Sequence, residues 1–198
     1  MTLNLPMLMQ LVAVSIRTPR EAARMIIAID LPRALRWQVL FLFVLIGAIL
    51  AVFLTYLITG HAVLYVGFIQ VQPIAAAMVT ASGSVLTVFA IYWVGRALGG
   101  TGHFADAISV VAWLQFVVVT FQVAQLAVFI VMPPLAAVID LAGTLLSIWL
   151  LTNFIAELHG FKSLSKVFVM ILVTLFAFAF GLSLILTAIG LSVPGVAP

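Results

Sequence analysis

Long apolar runs separated by short polar punctuation dominate this chain. Five of them reach the roughly 20 residues needed to cross the hydrocarbon of a bilayer: Trp37–Thr59, Ile74–Val94, Ala107–Val131, Ala136–Ala156 and Val167–Gly190. Lipid offers no partner to an unpaired backbone group, so each run is predicted to be a helix rather than a strand. The fold class expected is therefore all-α: a bundle of five transmembrane helices preceded by an amphipathic N-terminal helix. Residues 1–36 form an N-terminal segment, 37–190 the membrane domain and 191–198 a short tail. No internal repeat and no soluble domain interrupt this order.

The N-terminal helix is announced by Thr18-Pro19-Arg20-Glu21. Threonine at the cap, proline at the first helical position and glutamate three residues on have the form of a capping box. The helix should run from about Thr18 to Leu31 and stop at Pro32. Ala22, Met25, Ile26 and Ile29 then share one face, with Arg20, Glu21 and Arg24 opposite. Such a helix suits the membrane interface, with Arg17, Arg20 and Arg24 facing anionic lipid headgroups; an ordinary helix packed under the bundle is the alternative.

Composition agrees with a membrane protein. The chain is 66% hydrophobic and 7% charged, against about 45–50% and about 25% in a soluble domain, and its mean hydropathy is +1.40. A pI near 9.8 would suggest nucleic acid in a soluble protein, but only eight Lys and Arg are present. Their placement speaks of topology instead. Arg17, Arg20, Arg24, Arg33 and Arg36 precede the first span, Arg96 separates the second from the third, and Lys162 and Lys166 separate the fourth from the fifth. The intervening loops and the tail carry none, so the N-terminus is expected in the cytoplasm and the C-terminus outside. The first 16 residues lack the charged start of a cleavable signal peptide, so the N-terminus is expected to be retained. The chain has no cysteine, which excludes disulfides, thiolate metal sites and cysteine nucleophiles.

Candidate chemistry is sparse. Gly95-Arg-Ala-Leu-Gly-Gly-Thr-Gly-His-Phe-Ala-Asp-Ala-Ile108 is glycine-rich, but a membrane helix precedes it where a dinucleotide fingerprint needs a strand, and Thr101 stands where a phosphate-binding loop needs lysine. The run is expected to be a turn. Gly99 ends a helix in a left-handed cap, Gly100 and Gly102 permit the reversal, Arg96 marks the cytoplasmic side, and Asp106 sits at a helix N-terminus. Ser82-Gly83-Ser84 lacks a histidine at membrane depth to act as base, and Ala77/Ala81 and Thr80/Ser84 at small-residue spacing indicate close helix packing; Thr174, Ala177 and Gly181 read likewise. His159 and Glu157 are two apart and share no helical face, which speaks against a metal site. Gln115, Gln122 and Gln125 fall within an arc of about 80° on the third span. Asp140, Gly143, Thr144 and Ser147 make a polar face on the fourth, and Asn153 and Glu157 another at its cytoplasmic end. Interhelical hydrogen bonding explains these groups, and a polar route between spans three and four is the alternative. No enzyme, cofactor, metal, nucleotide or nucleic-acid partner is expected.

The two cytoplasmic turns carry a resemblance. Residues 95–108, Trp149, Glu157-Leu-His-Gly-Phe161, Lys166 and the early Thr18-Pro19-Arg20-Glu21-Ala22 are similar to the Yip (Ypt-interacting protein) integral membrane family, in its short bacterial branch. The resemblance implies five spans in a bacterial inner membrane. It also implies a non-enzymatic organiser of membranes or membrane proteins, whose partners include the bilayer, other membrane proteins or a second copy of the chain. The eukaryotic relatives engage small GTPases through an N-terminal domain and an Asp-Leu-Tyr-Gly-Pro motif that this chain lacks, so that role is not carried over. A small-solute transporter or channel subunit is the competing function.

Overall fold

The computed structural model describes residues 5–62, 64–66 and 69–188. The tail 191–198 and the last two residues assigned to the fifth span lie outside the described residues. The elements are α1 (Leu5–Arg17), α2 (Pro19–Ile27), α3 (Arg33–Thr59), β1 (Leu64–Val66), β2 (Ile69–Val71), α4 (Pro73–Ala97), α5 (Phe104–Val131), α6 (Pro133–His159) and α7 (Leu164–Ala188). Four whole helices, α3 to α6, and the Leu164–Gly181 stretch of α7 are long and apolar enough to span a bilayer. The protein is thus a multi-pass helical membrane protein. Its outer surface is studded with exposed leucine, isoleucine, phenylalanine and valine along the spans, as lipid contact requires.

Helix α5 is the hub, packing on α3, α4, α6 and α2, while α7 lies at the edge against α6. One buried cluster joins α3 to α7 through Leu40, Val88, Ile108, Ile155 and Val167. A second, built from Leu11, Ala22, Ala23, Ile26, Val110, Trp113 and Phe154, seats α1 and α2 on α5 and α6. The starts of α3, α5 and α7 and the ends of α4 and α6 meet at one end of the bundle, which also receives α1, α2 and all the basic residues. It is called the basic end below.

Five features depart from the sequence reading. Helix α1 is an additional helix; Trp113 Nε1 donates to its Ser15 Oγ at 2.9 Å, which fixes it to α5. Helix α2 stops at Ile27, four residues short of expectation, and the chain bends through Ala28–Asp30 before Pro32. No capping box forms: the Thr18 hydroxyl turns back to Val14 O on α1. The buried face of α2 is also rotated, with Ala22, Ala23 and Ile26 inside and Met25 49% exposed, because the small alanines let α2 approach α6 closely. Between α3 and α4, β1 and β2 pair antiparallel, with Tyr65 opposite Gln70.

Candidate functional site

The most elaborate polar arrangement lies at the basic end, where the turns after α4 and α6 meet. Helix α4 ends in a Schellman motif: Gly100 N–H donates to Gly95 O at 2.8 Å and Gly99 N–H to Arg96 O at 3.1 Å, with Gly99 left-handed at φ 86°. Helix α6 ends in the same way. Phe161 N–H donates to Ala156 O, Gly160 N–H to Glu157 O, and Gly160 is left-handed. Thr101 N–H donates to His159 O at 3.4 Å, joining the two turns.

Between them sits His159, 2% exposed. Its Nδ1 accepts from Gly102 N–H at 3.3 Å and its Nε2 lies 3.0 Å from Ile91 O on α4. A carbonyl can only accept, so the pair of bonds is that of a neutral imidazole protonated at Nε2. The ring stacks on Phe161. Glycine surrounds it. A Cβ on Gly95 or on Gly100 would overlap the imidazole, and one on Gly102 would lie 2.8 Å from Leu158 Cγ and 2.9 Å from His159 Cε1. Gly99 supplies the left-handed turn as expected, and Gly100 and Gly102, expected only to permit the reversal, also leave room for the histidine, as does Gly95.

Two ion pairs flank this cage. Arg36, 6% exposed in its side chain, lies 3.0 Å from Asp106 Oδ1 and also donates to Leu31 O, Ala105 O and Ser109 Oγ. Asp106 thus does more than sit at the helix N-terminus. On the other side Arg24 Nε lies 2.5 Å from Glu157 Oε1, and Arg20 Nη2 donates to Phe161 O at 3.2 Å. The carboxylate beside Arg24 holds its guanidinium proton more tightly than usual. Helix α2 is consequently tied to α6 through two of the arginines expected to face lipid, while Arg17 stays exposed, as does Arg96 on the last turn of α4.

The remaining candidate residues scatter. Gln115 Nε2 donates to Ser84 Oγ at 3.0 Å, which itself donates to Thr80 O, so this glutamine binds α4. Asn153 donates to Trp149 O within its own helix and is not joined to Glu157. Gln122 and Gln125 line a cleft of about 260 Å³ between α5 and α6, together with exposed Asp140 and Thr144 and half-buried Gly143 and Ser147. Gln122 Oε1 is buried without a hydrogen-bond partner among the described residues, close to where Gly47 of α3 leaves space. Three residues escaped the sequence reading as structural centres: His159, Arg36 and Ser15. Gly95 was the available signal for the first, since a glycine inside a helix costs about 1 kcal/mol against alanine and marks a close approach.

The family model described as Yip1 domain matches residues 13–185. No curated protein and no solved structure matches.

Proposed function

The chain belongs to the Yip1 domain family, and from that premise we propose that it is a non-catalytic module that organises the membrane or the proteins within it. The observation that carries this reading is how the polar groups of the basic end are used. His159, Arg36, Asp106, Arg24 and Glu157 all bind other parts of the chain, joining α2 to α6, α3 to α5 and the end of α6 to α4 and the loop that follows it in one platform. A hydrolase or transferase needs a nucleophile and base left free toward a substrate; a scaffold needs a rigid face. Its partners on this reading are the bilayer and membrane proteins, a second copy included.

The location that fits is a bacterial inner membrane with the basic end in the cytoplasm, since basic residues favour that side. Reporter fusions after Leu31, Gly102 and Phe161 are expected to read cytoplasmic, and those after His61 and Pro198 external. A cytoplasmic signal at Pro198 would contradict this topology.

One observation favours transport: the cleft at Gln122, Gln125 and Asp140. Reconstituted wild-type protein is nonetheless expected to pass no solute or proton above empty-liposome controls. Gln122→Leu should fold normally, because hydrogen bonds between membrane helices average about 0.6 kcal/mol and the Gln122 oxygen makes none. Wild-type flux that vanishes in folded Gln122→Leu would replace the organiser with a transporter.

A further inference from the structure

A second, larger cleft of about 930 Å³ opens at the basic end between α4, the turn after α6 and the first half of α7. Lys162, Ser163 and Lys166 stand at its mouth, and Val94, Met170 and Val173 line its body. The two lysines are exposed and form no ion pair among the described residues. This distinguishes them from Arg20, Arg24 and Arg36, whose side chains bind other parts of the chain.

We propose that this cleft holds one anionic phospholipid, its phosphate between Lys162 and Lys166 and an acyl chain along α7. Polarity and depth carry the assignment. Cations at the mouth and aliphatic groups below match a molecule charged at one end and apolar at the other, and basic pockets between membrane helices take anionic headgroups. The lining residues of α7 extend to Thr174. Ten residues of helix below Leu164 span about 15 Å, half of a hydrocarbon core about 30 Å thick. The cleft is one leaflet deep. A packed helix from a second copy would run through both leaflets, and a free inorganic anion would leave the aliphatic part unfilled. On this proposal the lysines before and on α7 add a lipid contact to the one expected of Arg17, Arg20 and Arg24.

The test is native mass spectrometry of the full-length protein titrated with phosphatidylglycerol and, separately, phosphatidylcholine. The wild type should retain one phosphatidylglycerol in preference to phosphatidylcholine. Each lysine should contribute about fivefold, so Lys162→Gln with Lys166→Gln should lose about twenty-fivefold. The Lys162→Arg, Lys166→Arg pair should keep the preference. Arg17→Gln with Arg33→Gln removes the same charge from exposed positions elsewhere and should change binding less than twofold. Val173→Trp, which fills the cleft with both lysines in place, should also weaken binding. Unchanged retention in the Gln pair, or equal loss in the Arg17/Arg33 control, would overturn the site. So would undiminished lipid binding by Val173→Trp, or displacement of the lipid by millimolar inorganic phosphate, since either would leave only a surface anion contact. Binding of a second copy with displacement of lipid would overturn it too.

Discussion

Gly100→Ala is expected to lower the melting temperature of the purified protein by roughly 6–12 °C. Its added methyl would run into Cβ, Cγ and Nδ1 of His159, the part of the side chain nearest its own backbone and least able to move. The ring cannot swing aside, because Gly102 and Ile91 hold its two nitrogens and Phe161 covers a face. Overpacking of this kind costs about 1–3 kcal/mol, and a caged ring puts Gly100 at the upper end; each kcal/mol moves the melting temperature about 2–4 °C in a chain of this size. Gly99→Ala has a different cause. Nothing lies within 4 Å of its Cβ position, but its φ of 86° costs a side chain about 1–2 kcal/mol. His159→Ala should therefore rescue Gly100→Ala and leave Gly99→Ala uncorrected, a coupling that a double-mutant cycle reads directly. Equal losses in both glycine variants, with no rescue in either, would mean that the histidine cage is not what the glycines serve.

The same residues show where sequence reading succeeds and where it stops. The five apolar helices were legible because length and hydropathy are local properties that the bilayer enforces. The turn at Gly99 was legible too, since a left-handed helix end is also local. Gly100 and Gly102 were read only as parts of that turn, and the second demand on them, with Gly95, was missed. What decides them is a ring 57 residues from Gly102 along the chain, and no periodicity reports contact between separate helices. Thr18 failed similarly. The capping box is a local rule, but α1 offers its carbonyl at Val14 first. Arginines 20 and 24 were placed toward lipid by the pattern of α2 alone. That pattern could not show that a carboxylate on α6 and a carbonyl at Phe161 also bind them, although the Arg24 side chain stays 68% exposed. That Lys162 and Lys166 are exposed and in no ion pair among the described residues is visible only once the partners of Arg24 and Arg36 are known.

Arg36→Met should be among the most damaging single substitutions, at about 3–5 kcal/mol. The guanidinium is 6% exposed and its partner Asp106 19%, so deleting the cation strands a carboxylate away from water, which is the costly way to break a buried pair. Leu31 O and Ser109 Oγ lose their donor as well, and α3 comes loose from the start of α5. Asp106→Asn should cost less, because an amide oxygen still accepts from Arg36 while Ala105 O and Ser109 remain bound. Replacing both partners, Arg36→Met with Asp106→Leu, should recover part of the loss, since an apolar pair leaves no stranded charge. Arg36→Lys separates this structural role from a topological one. Lysine keeps the charge that orients the first span, but a single ammonium on a flexible stem cannot match the fixed fork of donors that spans Leu31, Ala105, Asp106 and Ser109. Arg36→Lys is therefore expected to insert with wild-type topology and yet melt well below the wild type. A lysine variant as stable as the parent would reduce Arg36 to an orienting charge, and the rigidity of the platform would then have to come from the apolar contacts of α5 alone.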